Sequence, residues 1–242
     1  MKSLKHIFLN ILILSPLFFG KLSAQNSANQ EDMGTRLGAS FQKTVIKRVK
    51  AEGQAQFRLN NNFSQWSATL VDGGLVFKPF KKTDFTLKAG YRYYVKPDVN
   101  KNRIYVDAEY SKKIKPIRSV VSVRLRGQQD FSHLKSNFKI RSVASLSYNI
   151  PKIKWEPTAS VEVWLKPENE SRALDRIRLQ LVMKYPVHTK INLKIGYFYQ
   201  HKLNSGIEGA DHVWMGSLSF DLDKSKKKKK KEKNTEKGFP VE

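Results

Sequence analysis

The sequence predicts an all-β protein: a single closed antiparallel transmembrane β-barrel of about 11–12 strands in meander order. Three observations carry that prediction. Polar and apolar residues alternate with a period of two through most of the chain, the repeat of a strand with two unlike faces. The links between these segments alternate between short and longer, more polar ones, as in a meander whose two ends meet different surroundings. Aromatic residues of the apolar parity gather at both ends of the segments, with small and aliphatic residues between them. Two belts of amphipathic rings around an aliphatic band are what a barrel crossing lipid presents to the headgroups and the hydrocarbon.

Taken in order, residues 1–24 are a secretory signal. Lys2 and Lys5 give a basic start, IFLNILILSPLFFG is the apolar stretch, and LSA before Gln25 is an acceptable cleavage site. The stretch is short for a membrane helix and Pro16 interrupts it, so removal is expected and an uncleaved anchor is the alternative. Residues 25–222 form the barrel, with strand-like segments at 33–45, 49–59, 66–79, 85–96, 103–113, 118–131, 137–149, 155–166, 174–185, 191–202 and 211–222. FTLKAGYRYYVK (85–96) shows the pattern: Phe85, Leu87, Ala89, Tyr91, Tyr93 and Val95 on one face, Lys88 and Arg92 on the other. Ten such residues at a tilt near 40° rise roughly 25 Å, the height of an outer-membrane apolar band.

Tight links fall at 46–48, 80–84, 114–117, 150–154 and 186–190, and the more polar ones at 60–65, 97–102, 132–136, 167–173 and 203–210. Eleven strands leave a parity problem, because bacterial single-chain barrels normally have an even number. A short strand from 25–32, an N-terminal segment threaded through the lumen, or the merging of two segments would resolve it, and twelve strands is the expected outcome.

The aromatic sorting sets the orientation of the faces. Phe41, Phe77, Phe85, Tyr110, Tyr148, Trp155, Tyr185 and Phe220 fall at the short-turn ends. Phe57, Tyr91, Tyr93, Phe131, Phe138, Tyr197, Tyr199 and Trp214 fall towards the long-loop ends. The apolar face therefore meets lipid and the charged face the lumen. The rival is a soluble periplasmic lipocalin-like binding barrel, whose core would not sort its rings to two rims.

Composition agrees with an exported barrel. The chain has 242 residues and no cysteine, which removes disulfides, thiolate metal sites and a lipid-modified N-terminal cysteine. A formal charge of +24 coexists with 40% hydrophobic residues, too many for disorder throughout.

The stretches DMGTRLGASF, FTLKAGYRYY, NRIYVDAEY, WEPTASVEVW, LDRIRLQLVMKYP and INLKIGYFYQHK resemble an uncharacterised family of bacterial outer-membrane barrels, the domain of unknown function numbered 2490, common in the Bacteroidota. The resemblance runs from about Asp32 to Leu222, with AGYRYY and the Glu-Pro strand start at 156–157 the most telling pieces. It implies an outer-membrane barrel, no settled activity and no transferable site residue. The lysine-rich extension departs from the family pattern.

The lumen parity is rich in bases, among them Arg36, Arg58, Lys88, Arg92, Lys139 and Lys194. Neighbouring strands bring Arg124, Arg126, Arg141, Arg176 and Arg178 into one basic wall, with Asp107, Glu109 and Glu162 as acidic partners. Such a wall is either an anion-attracting constriction or a salt-bridge network plugging a narrow lumen. No catalytic or metal site is expected, and no cofactor. The sequence has no His-x-x-x-His, no paired metal-ligand spacing, no Walker-type loop and no Gly-x-Ser-x-Gly. Asp211, His212 and Ser205 or Ser217 form a weak hydrolase set, and alternation sends Ser217 to the face opposite His212.

The tail at 223–242 carries nine lysines and four acids. It is expected to be a disordered periplasmic extension whose run from Lys226 to Lys231 touches anionic headgroups or cell-wall groups. An exported chain is not expected to meet nucleic acid. The expected partners are outer-membrane lipid and the barrel-assembly machinery, which would read Phe220 as an internal terminal-strand signal. The expected location is the outer membrane of a Gram-negative bacterium, with the tail in the periplasm. The expected function is a non-enzymatic structural barrel or narrow pore for small solutes, anions favoured. A lipid- or lipopolysaccharide-modifying enzyme and the soluble binding barrel are the alternatives.

Overall fold

The computed structural model describes residues 30–80, 83–132, 136–167, 174–203 and 209–223. The expected signal segment, the tail with Lys226 to Lys231, His133 and Ser205 lie outside the described residues.

Eleven strands appear in chain order: β1 (Gln30–Ile46), β2 (Val49–Asn60), β3 (Gln65–Phe77), β4 (Phe85–Val95), β5 (Lys101–Ile114), β6 (Ser119–Phe131), β7 (Ser136–Tyr148), β8 (Glu156–Leu165), β9 (Leu174–His188), β10 (Ile191–Lys202) and β11 (Gly209–Asp221). Each pairs with its sequence neighbour in antiparallel register, and β1 pairs with β11 to close the barrel. The closing pair is parallel, running from Gln30↔Gly209 to Gln42↔Asp221.

That seam corrects two expectations. The barrel is not wholly antiparallel, and no twelfth strand appears among the described residues. Residues 30–32 lengthen β1 instead of forming a separate strand. In an odd meander the first and last strands run the same way, so closure requires one parallel pair. Closure still removes the free sheet edge, which is the larger requirement.

The faces sort inside out. Exposed apolar residues cover the exterior, among them Leu37, Val71, Leu75, Val106, Val123, Leu125, Leu179 and Ile195. The most enclosed residues include Asp72, Asp107, Arg126, Gln128, Asp130, Glu162, Arg178 and Gln200. A soluble lipocalin-like barrel would place these two sets the other way round. Phe41 and Tyr110 at the short-turn ends, and Tyr91 and Trp214 towards the long-loop ends, all face outward.

Four register shifts interrupt the ladder, and one re-aims a side chain. At the β8–β9 shift, Trp164 pairs with Arg176 and Leu165 with Leu174, which leaves Asp175 as the extra residue. Strict alternation would send Asp175 outward. The bulge instead leaves it enclosed, bonded to Arg176 and Lys166.

Gly90 is fixed by a close approach. A Cβ there would clash with the ring of Tyr105, whose hydroxyl donates to Asp72 at 2.7 Å. Gly90→Ala is expected to destabilise the barrel by about 1–3 kcal/mol, read as a lower urea midpoint in detergent. Ala39→Cys combined with Leu218→Cys, partners across the seam, should be joined by a short thiol cross-linker in an otherwise cysteine-free chain. Absence of that product would remove the parallel closure.

Candidate functional site

Alternation alone brings the charged side chains into one narrow lumen. Arg126 reaches across from β6 to Asp107 on β5 with two parallel bonds, Nε–Oδ1 at 2.5 Å and Nη2–Oδ2 at 2.7 Å. This bidentate geometry is the strongest form of the pair. Glu162 on β8 accepts from Arg141 on β7 and, at 3.0 Å, from Arg178 on β9. Arg178 also donates to Gln200 at 2.6 Å, and Gln200 and Lys202 both donate to Asp211. Towards β4, Arg92 pairs with Asp72 at 2.5 Å, and Asp130 holds Arg103 at 2.5 Å and Lys101 at 2.7 Å.

Side-chain length decides which charge faces the opening. Asp72, Asp107, Asp130 and Glu162 lie against the wall with side chains 1–4% exposed, whereas Arg92, Arg103 and Arg141 retain 13–15% and Arg178 10%; Arg126, at 5%, is as enclosed as its acid. The short acids sit behind and the long bases extend past them. The pairs are close to neutral, yet the surface they present is cationic.

Rings from the lumen parity separate the guanidinium groups. Arg126 lies 3.9 Å from the centroid of Tyr105. Arg178 and Arg36 both lie over Phe198, at 4.1 and 4.4 Å. Arg141 and Arg178 flank Trp164 at 5.0 and 4.6 Å. Each cation–π contact contributes about 0.5–2 kcal/mol, and together they hold the bases apart.

Among the described residues, Arg36, Arg58, Arg124 and Lys194 have no carboxylate within ion-pair distance. Arg58 donates to Gln56 instead. The Nε atoms of Arg124 and Arg178 are buried with no partner. Glu109 stands opposite Arg124 in the β5–β6 register without an ion pair between them.

The space these groups enclose is divided into cavities. One of about 530 Å³ is lined by nine arginines and two lysines against a single carboxylate, that of Asp211. Two others, of about 510 and 440 Å³, extend to short-turn-end residues, including Asp221 in the first and Arg48 in the second. Lys88 and Arg124 line all three.

The basic wall read from the sequence is thus divided by role. Arg126, Arg141 and Arg178 are tied to Asp107 and Glu162. Arg176 takes Asp175 at 2.8 Å, and Arg124 stands apart. Sequence reasoning missed Arg103, Asp175, Gln200 and the enclosed rings of Tyr94, Tyr105, Trp164 and Phe198. The rings had a signal: they occupy the charged parity, as in Arg103-x-Tyr105-x-Asp107. Asp175 had none, because a bulge breaks the parity it would be read by.

Among the described residues the weak hydrolase set does not assemble. Asp211 turns inward to Gln200 and Lys202, whereas the Nδ1 of His212 meets the Tyr197 hydroxyl at 2.5 Å. Ser217 is Cα partner to Lys194, whose side chain lines a lumen cavity. Among the described residues, no cluster of three His, Asp or Glu side chains could hold a metal ion.

An apolar exterior, a charged interior and a closed sheet define a transmembrane β-barrel. The chain belongs to the family described as "Protein of unknown function (DUF2490)", which matches residues 34–209. Among solved structures, the fold is similar to a NanC porin in its rhombohedral crystal form, with a TM-score of 0.50 and 13% identity over 78% of this chain and 99% of that one. At that identity the likeness concerns the fold alone. Comparison with curated proteins gave no match.

Glu162→Gln would leave Arg141 and Arg178 enclosed without their carboxylate. It is expected to destabilise the barrel by about 3–5 kcal/mol in urea unfolding followed by tryptophan fluorescence. Glu109→Gln breaks no ion pair and should cost about 1 kcal/mol or less. Equal losses would contradict the division of roles.

Proposed function

We propose that the protein is an outer-membrane barrel that acts as a narrow pore for small anions. The observation that carries this reading is the cavity of about 530 Å³ whose charged lining residues are all cationic except Asp211. Rings of Arg and Lys select anions in pores, and an enclosed wall screens them less than bulk solvent does. The sharing of Lys88 and Arg124 by all three cavities supports a route along the barrel axis. The similar solved barrel is described as a porin, which agrees with this reading at the level of fold. The reading requires outer-membrane lipid around the barrel and assembly machinery to insert it, with Phe220 at the end of β11 as the aromatic signal.

The ion-paired, ring-filled wall also favours a rival within the same class: a sealed structural barrel. Planar-bilayer recording separates them. The pore reading expects small unitary steps and, under a salt gradient, a reversal potential on the chloride side. Arg36→Gln, Arg58→Gln and Arg124→Gln together remove cations that hold no carboxylate, so no acid is orphaned. This variant should lose anion preference several-fold and keep its fold. Silent bilayers with inserted protein would leave the sealed barrel.

A further inference from the structure

The two ends of the barrel are chemically unlike. At the long-loop end, among the described residues, Lys101 pairs with Asp130, Lys166 with Asp175 and Lys202 with Asp211, and exposed Lys96 has no ion pair. At the short-turn end the ion pairs among the described residues include Lys78–Asp84, Lys184–Glu156 and, on the lumen side, Lys88–Glu52. Lys47, Arg48, Lys115, Arg118, Lys152 and Lys154 are exposed there and have no carboxylate partner among the described residues.

The short turns share a second feature. Each carries a solvent-exposed apolar residue: Ile46 (63%), Phe80 (57%), Ile117 (47%), Ile153 (53%) and Val187 (56%). Bases stand beside them in sequence: Lys47 and Arg48, Lys81, Arg118, Lys152 and Lys154, and Lys190. The pattern continues onto the strands, where outward Phe41 is followed at two residues by Lys43 and outward Tyr110 by Lys112. Next to Lys154, Trp155 packs on Tyr185 with centroids 4.9 Å apart.

We infer that this rim is a collar that binds the anionic phospholipid headgroups of the leaflet encircling the short-turn end. The inference rests on the reading that the barrel spans a bilayer and is separate from what passes through the lumen. Water is a poor surrounding for five exposed apolar turn tips, and hydrocarbon is a poor one for unpaired bases. The headgroup boundary accepts both: the apolar tip at the acyl edge, the base reaching to phosphate. The distribution selects lipid over a protein partner. The exposed apolar tip recurs at every short turn, and exposed bases without an ion pair among the described residues stand at the β1–β2, β5–β6 and β7–β8 turns. The pattern is therefore spread around the barrel, as a leaflet is, whereas a docked protein would cover one sector.

The test uses full-length protein in nanodiscs of phosphatidylcholine, with or without phosphatidylglycerol. Lipids retained after gentle release are counted by native mass spectrometry. The wild type is expected to retain phosphatidylglycerol several-fold over phosphatidylcholine. Substituting Lys47, Arg48, Lys115, Arg118, Lys152 and Lys154 by Gln should abolish that preference, while the variant keeps its heat-modifiable mobility in phosphatidylcholine. If the six-site variant does not assemble, Arg118→Gln with Lys152→Gln and Lys154→Gln is read in its place, with partial loss expected. Deletion of 224–242 should leave the preference intact.

No preference in the wild type, an undiminished one in the assembled variant, or loss only on deleting 224–242 would overturn the collar. Capture of soluble polyglutamate without lipid preference would overturn it in favour of an acidic protein. Failure of the wild type to insert into either nanodisc would instead remove the bilayer reading on which it rests.

Discussion

A pleated strand has two faces and a closed sheet has no edge. Everything else in this protein follows from combining those two facts with a chain that places charge on one parity and hydrocarbon on the other. Once the sheet closes, one parity is enclosed whatever its polarity. Here the enclosed parity is the charged one, so the exterior must meet a solvent that accepts Val, Leu and Ile. The interior must then settle its charges within the width of the barrel.

The interior does so by unequal side-chain length. Asp and Glu stay against the wall and hold the guanidinium groups at their base, and the arginines extend beyond them over Tyr105, Trp164 and Phe198. Buried ion pairs repay their desolvation only when the remaining donors and acceptors are also met. The Glu162–Arg178–Gln200–Asp211 chain meets that condition except at the Nε of Arg178, which has no partner. The same arrangement leaves a cationic surface towards the cavities. The ion pairs and the cationic lining therefore come from one device, and Arg36, Arg58 and Arg124 add to that lining without holding an acid.

The odd strand number has a structural consequence at each end. Because β1 and β11 run the same way, the described chain enters at the long-loop end and leaves at the short-turn end. Among the described residues, the short turns hold exposed apolar residues and three of them exposed bases without an ion pair, whereas Lys101, Lys166 and Lys202 at the opposite end are each paired with a carboxylate. The barrel thus has a direction, expressed in charge as well as in loop length.

Much of the fold was legible in the sequence because alternation is local. Phe85 to Val95 declares two faces without reference to any other segment, and the aromatic sorting told lipid from core. The eleven segments coincide closely with the eleven strands for the same reason. Which base meets which acid was not legible, because register belongs to pairs of strands: Arg124 faces Glu109 and leaves it, while Arg126, two residues on, grips Asp107. The parallel seam was equally hidden, since it joins the two ends of the barrel. Asp175 escaped because a one-residue bulge reverses its face. Alternation is enough to tell enclosed residues from lipid-facing ones, Asp175 at its bulge excepted, since that division follows a period of two. How the barrel closes and which charges remain unpaired emerge only in the folded sheet, since those depend on how strands are staggered against their neighbours.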